Sequence, residues 1–289
     1  MHYENRQPPE GINVTKEHPL RQFVRLAIAA TVLMVLVVGV LQFSGGWLAK
    51  RIPFSFEQRV MRGMEVDFSG EVDAPELTAY LNDLAQRLIK ELPMEDGMDV
   101  IVHYNPDDTF NAFATVGGNL QFYRGLLVQM PNENALAMVM AHEISHVMHR
   151  DPVAGLGGGV ASMLAMMMLT GNAGTGMAGD VLTRTGVLTS IQFTRRMEMA
   201  ADNEALPAVY GLYGHVEGAG TLFELVAQEH GGSGDLAPVW LERFASTHPL
   251  DSDRVEAITA RAAAQGWPVS GEMTPLPEEF FDWLEESAN

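Results

Sequence analysis

Apolar and polar positions divide the chain into a long uncharged run, a region of short periodic segments, and a second uncharged run within that region. From Leu26 to Phe43 the sequence LAIAATVLMVLVVGVLQF has 18 residues and no charge. As a helix it spans about 27 Å, close to the thickness of a bilayer's hydrocarbon core. One transmembrane helix is the expectation. Beyond it, Leu77, Leu81, Leu84 and Leu88 recur at helical spacing and predict an amphipathic helix over Pro75 to Leu92. Val100 to Tyr104, Thr109 to Val116 and Leu120 to Tyr123 are rich in β-formers, and the turn signal Gly117-Gly118 joins the last two as an antiparallel hairpin. Pro131-Asn132 marks the next helix start, with Asn132 or Asn134 as its cap, and Asp151-Pro152 breaks that helix near Arg150.

Further helices are expected near Ile191 to Tyr210, Gly218 to His230, Ala237 to Ser246 and Asp251 to Gln265. The pattern implies an α+β class, predominantly helical, with a small antiparallel sheet and one preceding transmembrane helix. It reads as a polar tail (1–25), an anchor (26–43), a juxtamembrane linker (44–73), a globular domain (74–265) and an acidic C-terminal stretch (266–289). That last stretch is either a short docked helix containing Phe280, Phe281 and Trp283 or a mobile tail.

The second uncharged run, Pro152 to Gly179, has 28 residues and is rich in Met and Gly. A single crossing would put His146 and Glu198, candidate ligands of one ion, on opposite sides of the bilayer, and two full crossings of about 20 residues each do not fit, so the segment has to return to the side it left. It is expected as a short Met-rich helix with flexible Gly-rich flanks, either in the core or over a cleft as a lid or plug, with membrane re-entry as the last alternative.

Composition narrows the function. The formal net charge is −19, and residues 71–289 carry 31 acidic against 10 basic groups, a balance that repels phosphate backbones and argues against nucleic-acid partners. There is no cysteine, hence no disulfide, thiolate site or cysteine nucleophile, so any metal has to be held by His, Asp and Glu. Lys16, Arg21 and Arg25 precede the apolar run while Lys50, Arg51, Arg59 and Arg62 follow it, so the positive-inside rule leaves orientation open. The length of the run and of the polar tail before it favours an uncleaved signal-anchor over a cleaved leader, and an exported domain on the periplasmic face of a bacterial inner membrane.

Residues 139–151 read VMAHEISHVMHRD. On a helix, His142 and His146 at i and i+4 share a face and can aim imidazole nitrogens at one ion, while Glu143 beside them can take a proton from a metal-bound water. Two surface histidines on an ordinary amphipathic helix would leave the same letters. His149 continues the face, but its rise of about 10.5 Å from His142 makes it a poor third ligand. A better one lies in TRRMEMAADNEA (194–205), where Glu198 and Asp202 stand one turn apart: one carboxylate could bind zinc and the other hold a ligand histidine. Alone, the pair would read as a solvated face.

Four segments carry a wider resemblance: NAFATVGGNLQFYRGLL (111–127), ENALAMVMAHEISHVMHRD (133–151), TRRMEMAAD (194–202) and STHPLDSDRVEAI (246–258). In kind and order they resemble the HtpX and CAAX-prenyl-endopeptidase family of zinc metallopeptidases, which also contains periplasmic quality-control proteases of the BepA type. The resemblance implies a zincin-like domain with one zinc ion per chain on His142, His146 and Glu198, Glu143 as general base, and Asp202 behind a ligand. It further implies that Asn111-Ala112-Phe113 forms an edge strand on which substrate lies as an added strand, and that His248 helps stabilise the oxyanion. Thr194, Ser145 and Ala200 depart from the residues common in the family, which leaves the ligands intact and the substrate open. The resulting expectation is a membrane-anchored zinc endopeptidase acting on misfolded or unassembled envelope proteins, the rival being a chaperone or assembly factor on the same fold. A single clear span disfavours a prenyl-peptide-processing chamber built from several spans.

Overall fold

The computed structural model describes residues 19–49, 51–64, 74–155, 193–225, 248 and 252–287. Two expectations, the Met-rich segment 152–179 (beyond Gly155) and the helix over 237–246, lie outside the described residues.

The apolar run sits in α1 (Pro19–Ala49), whose first 18 residues, Pro19–Leu36, form the one window among the described residues long and apolar enough to cross a membrane. Its side chains project outward, Leu26, Leu33, Leu36 and Val40 each being more than 60% exposed. Four residues later begins α2 (Phe54–Met64), inside the stretch expected to be a linker. Its apolar face buries Phe54, Phe56, Val60 and Met61. Polar residues at most other α2 positions hid that stripe in the sequence.

α3 (Pro75–Ile89) buries Leu77, Leu81, Leu84 and Leu88 completely, as the Leu spacing predicts. Fully burying a Leu side chain is worth about 1.5–3 kcal/mol, so this one stripe is enough to hold the helix on the core. The strands are β1 (Ile101–Asn105), β2 (Ala112–Thr115) and β3 (Asn119–Tyr123), in the order β1-β3-β2. β2 and β3 pair antiparallel with Ala112 opposite Phe122, the expected hairpin. β1 pairs parallel to β3, Ile101 opposite Asn119, so the sheet is mixed and not purely antiparallel. The cause is topological: the chain reverses once between β1 and β2 and again at Val116–Gly118, so β3 runs the same way as β1 and pairs with it directly, as the middle strand with β2 on its other edge. The second reversal requires glycine, since Gly117 and Gly118 have φ of 77° and 83° and a Cβ on Gly118 would lie 2.2 Å from the Asp99 carbonyl oxygen.

A short α4 (Arg124–Leu127) leads to the central α5 (Glu133–His149), which is buried from Glu133 through Val147. Arg150 reverses the chain in the left-handed region and α6 (Asp151–Gly155) follows. α7 (Arg195–Tyr213) packs along α5, and α8 (Ser252–Gln265) packs on α7. The C-terminal stretch ends in a docked helix, α9 (Phe280–Glu286), with Phe280 and Leu284 in the core and the Phe280 ring edge-on to Tyr80 at 5.8 Å.

Candidate metal centre

α5 and α7 each present two chemically active side chains one helical turn apart. The start of α5 is fixed by Asn132, which accepts the Ala135 N–H at 2.9 Å. That of α7 is fixed by Thr194, which accepts from Met197. Where the helices pack, His142 and His146 of α5 meet Glu198 and Asp202 of α7, and all four are buried.

Each α5 imidazole is held from behind by a carboxylate. His142 Nδ1 lies 2.9 Å from Asp202 Oδ1, and His146 Nδ1 lies 2.9 Å from Asp151 Oδ2. These contacts put the ring proton on Nδ1 and turn both Nε2 atoms inward, 3.1 Å apart. Glu198 Oε1 is 3.2 Å from His146 Nε2, and its Oε2 is 3.5 Å from His142 Nε2. His248 joins them, with Nδ1 3.2 Å from Glu198 Oε1, so that donor atoms of His142, His146, Glu198 and His248 all lie within 4.8 Å of one another. Two Nε2 lone pairs facing at that separation repel unless a cation or proton lies between them. On one tetrahedral ion with bonds of about 2.0–2.1 Å, two nitrogens stand about 3.3 Å apart. The donor set therefore fits a small divalent cation such as zinc.

The electrostatics agree. Burial opposes charging of His142, but its hydrogen bonds to Asp202 and Glu198 and their negative charge prevail, and its pKa is pushed up to about 10. His146 is raised in the same way against burial, chiefly through Asp151 and Glu198. Burial favours the neutral carboxyl of Glu198, yet the His248 charge and the hydrogen-bonded His142 and His146 hold it far below the usual carboxylate range. Asp202 is brought down to about 2 against the same burial by His142 and by Arg254, whose Nε and Nη2 lie 2.7 and 2.9 Å from its two oxygens. The pocket thus favours positive charge at its centre.

Residues 75–262 match the model of peptidase family M48. The chain belongs to that family. It is 28% identical over 184 residues to the mitochondrial metalloendopeptidase OMA1 of Schizosaccharomyces pombe, covering 63% of this chain and 52% of that protein. It is 29% identical over 205 residues to the beta-barrel assembly-enhancing protease of Escherichia coli K12, covering 66% and 40%. With the protein of that name from Yersinia pestis it shares 33% over 216 residues, covering 65% and 39%. The chain thus spans only about half or less of the length of these relatives. The family resemblance of the four segments is borne out.

Within the M48 domain, Glu143 follows the first histidine and directs Oε1 to within 3.6 Å of His248 Nε2, while its Oε2 has no hydrogen-bond partner among the described residues. An apolar-walled cleft bounded by Met138, Val139, Leu222 and Phe223 opens onto His142, Glu143 and His248. His248 Nε2 is also 3.3 Å from the carbonyl oxygen of Ala112, the first residue of β2, so that edge strand borders the centre. Asn111 is not in the donor cluster. It is buried just before β2, its backbone carbonyl accepting from Tyr123 at 3.2 Å and its Oδ1 having no partner among the described residues. His149 stays outside too, with Nδ1 4.0 Å from Asp151 Oδ2.

Three contacts escape sequence reasoning. Asp151 reads as a helix breaker, yet it is the partner of His146. Arg254, an unremarkable basic residue on α8, is buried against Asp202 and lies 2.6 Å from Glu198 Oε2. Phe193 stacks on His146 at 3.9 Å and 11°, just ahead of α7. Asp151 offered one signal: an acidic residue immediately after an HExxH helix, where a chain reversal can bring it back.

Proposed function

We propose that this M48 chain is a membrane-anchored zinc endopeptidase that hydrolyses peptide bonds of misfolded or unassembled envelope proteins. One zinc ion per chain is held by His142, His146 and Glu198, with Asp202 and Asp151 fixing the two imidazoles. The observation that carries this reading is the pair of inward Nε2 atoms beside Glu198, each imidazole backed by its own carboxylate. Zinc, when bound, supplies a Lewis acid that polarises water and the scissile carbonyl. Glu143 accepts the water proton on its unengaged oxygen and delivers it to the leaving amine. His248, 3.6 Å from that carboxylate, donates to the oxyanion that develops. Asn111 leads the substrate strand onto the β2 edge, where extended backbone supplies regular hydrogen bonds.

α1 anchors the domain as a single span in a bacterial inner membrane, with the peptidase on the periplasmic side, and no nucleic acid is involved. Unfolded envelope proteins as substrates are supported by the relatives named for beta-barrel assembly. The deciding experiment compares wild type with Glu143→Gln for zinc content and for casein cleavage. The expected outcome is equal zinc, with cleavage reduced by about 10²–10⁴-fold in the variant. Equal cleavage by both would sink the mechanism, and zinc-loaded protein inert in both forms would favour the chaperone or assembly factor.

A further inference from the structure

The peptidase centre is tied to the membrane-proximal helix through a buried ion pair. Glu57 of α2 and Arg150, the residue that ends the HExxH helix, are 2% and 8% exposed, and their side chains meet directly. Arg150 Nη2 also donates to the Ile52 carbonyl at 2.7 Å, and its guanidinium lies over the Phe54 ring at 5.5 Å. Every one of these partners belongs to α2 or to the connection just before it. Arg150 is the one non-glycine residue with positive φ among the described residues, at 63°. A long side chain is rarely placed there without a surrounding structure that demands it.

The consequence falls on the next residue. The reversal at Arg150 carries Asp151 back over the last turn of α5, where its Oδ2 accepts a hydrogen bond from His146 Nδ1. Glu57 also reaches the β2–β3 turn, its Oε2 accepting from the Gly117 N–H at 3.4 Å where the β2 edge strand ends. Gly117 is itself pressed on α2, since a Cβ there would come within 2.9 Å of Met61 Cγ. One carboxylate therefore links α2 both to the residue beside a ligand's partner and to the strand expected to receive substrate.

We propose that α2 is a positioning clamp of the metal centre, Glu57 and Arg150 acting through Asp151 on His146, so that a docked membrane-proximal segment is required for full metal affinity. The inference rests on the reading of His142, His146 and Glu198 as metal ligands. α2 follows α1 by only four residues, so whatever tilts or pulls the anchor acts on this pair first. Without Glu57, Arg150 is left as a buried cation without its carboxylate, which drives it towards water and takes the αL reversal with it.

The test uses the full chain in detergent, with zinc as the probe. Zinc affinity is measured by competition with a chromogenic chelator for wild type, Glu57→Gln, Glu57→Asp and His146→Ala, and backbone amide exchange is followed in the metal-free proteins. Glu57→Gln should keep one zinc per chain but bind it about tenfold more weakly, the lower end of what loss of a ligand's supporting contacts costs. It should also lose amide protection at 116–118 and 151–155. Glu57→Asp, which keeps the charge but shortens the reach, should show an intermediate loss of both. Wild-type zinc affinity and protection in Glu57→Gln would overturn the clamp and reduce α2 to scaffolding. If Glu57→Gln does not fold, Glu57→Asp decides: unaltered affinity and protection at both segments despite the shortened reach would overturn the clamp, and an intermediate loss of both would support it. Zinc binding by His146→Ala equal to wild type would instead sink the ligand assignment, while the exchange result would still report on the clamp.

Discussion

Asp151 and Asp202 perform one task from two elements: each fixes an imidazole so that its Nε2 faces the centre. A charged partner on Nδ1 also makes Nε2 the stronger donor, so removing the charge while keeping the shape should weaken metal binding without unfolding the domain. Asp151→Asn is expected to lower zinc affinity by about 10–100-fold, read by chelator competition. Wild-type affinity in that variant would remove Asp151 from the site. Arg254 serves Asp202 through a two-pronged contact that a lysine does not reproduce, so Arg254→Lys should weaken zinc binding as well, by less than His142→Ala does. Residue chemistry of this kind is only half legible in the sequence. His142, Glu143 and His146 announce themselves by spacing, whereas Asp151 and Arg254 acquire meaning only when a chain reversal or a packed helix brings them to a histidine.

The elements were legible where a single repeating pattern decides them. The Leu stripe of α3, the capped HExxH helix and the β2–β3 hairpin each follow from local residues alone, and the structure has them with small shifts of boundary. The parallel β1–β3 pairing is a different case, because nothing within β1 records which strand will lie beside it. α2 escaped because its apolar face is short and lies among arginines that suggest a linker. The hairpin also offers a stability prediction. Gly118 combines a φ of 83° with a Cβ position 2.2 Å from the Asp99 carbonyl oxygen, so Gly118→Ala faces strain and collision together. Unusual backbone alone costs about 1–3 kcal/mol, and a lower urea midpoint with an unchanged slope is the expected result. An unshifted midpoint would mean that the turn relaxes freely and does not fix the β2 edge.

Across the whole molecule, the last described helix belongs to the same packed unit as the metal centre. Phe280 of α9 is fully buried and edge-on to Tyr80, and Tyr80 donates to Glu133 Oε2 at 2.9 Å. Glu133 opens the HExxH helix and also accepts from Tyr213 of α7 at 2.9 Å, while Arg87 of α3 lies 2.9 Å from its Oε2. Two helices, α3 and α7, thus converge on the N-terminus of α5, and α9 closes the cluster from outside. Removing the Phe280 ring opens a cavity against Tyr80 and should cost about 3–5 kcal/mol, a large part of a typical domain's stability of about 5–15 kcal/mol. Because the same contacts orient α5, the loss should appear as one cooperative transition in which helical signal and bound zinc disappear together at lower denaturant. Circular dichroism and a zinc-release dye followed on one sample of Phe280→Ala make the comparison. Zinc release and unfolding at well-separated denaturant concentrations would show that α9 is a dispensable addition; coincident midpoints, both shifted, would show that the acidic C-terminal stretch helps hold the catalytic helix in place.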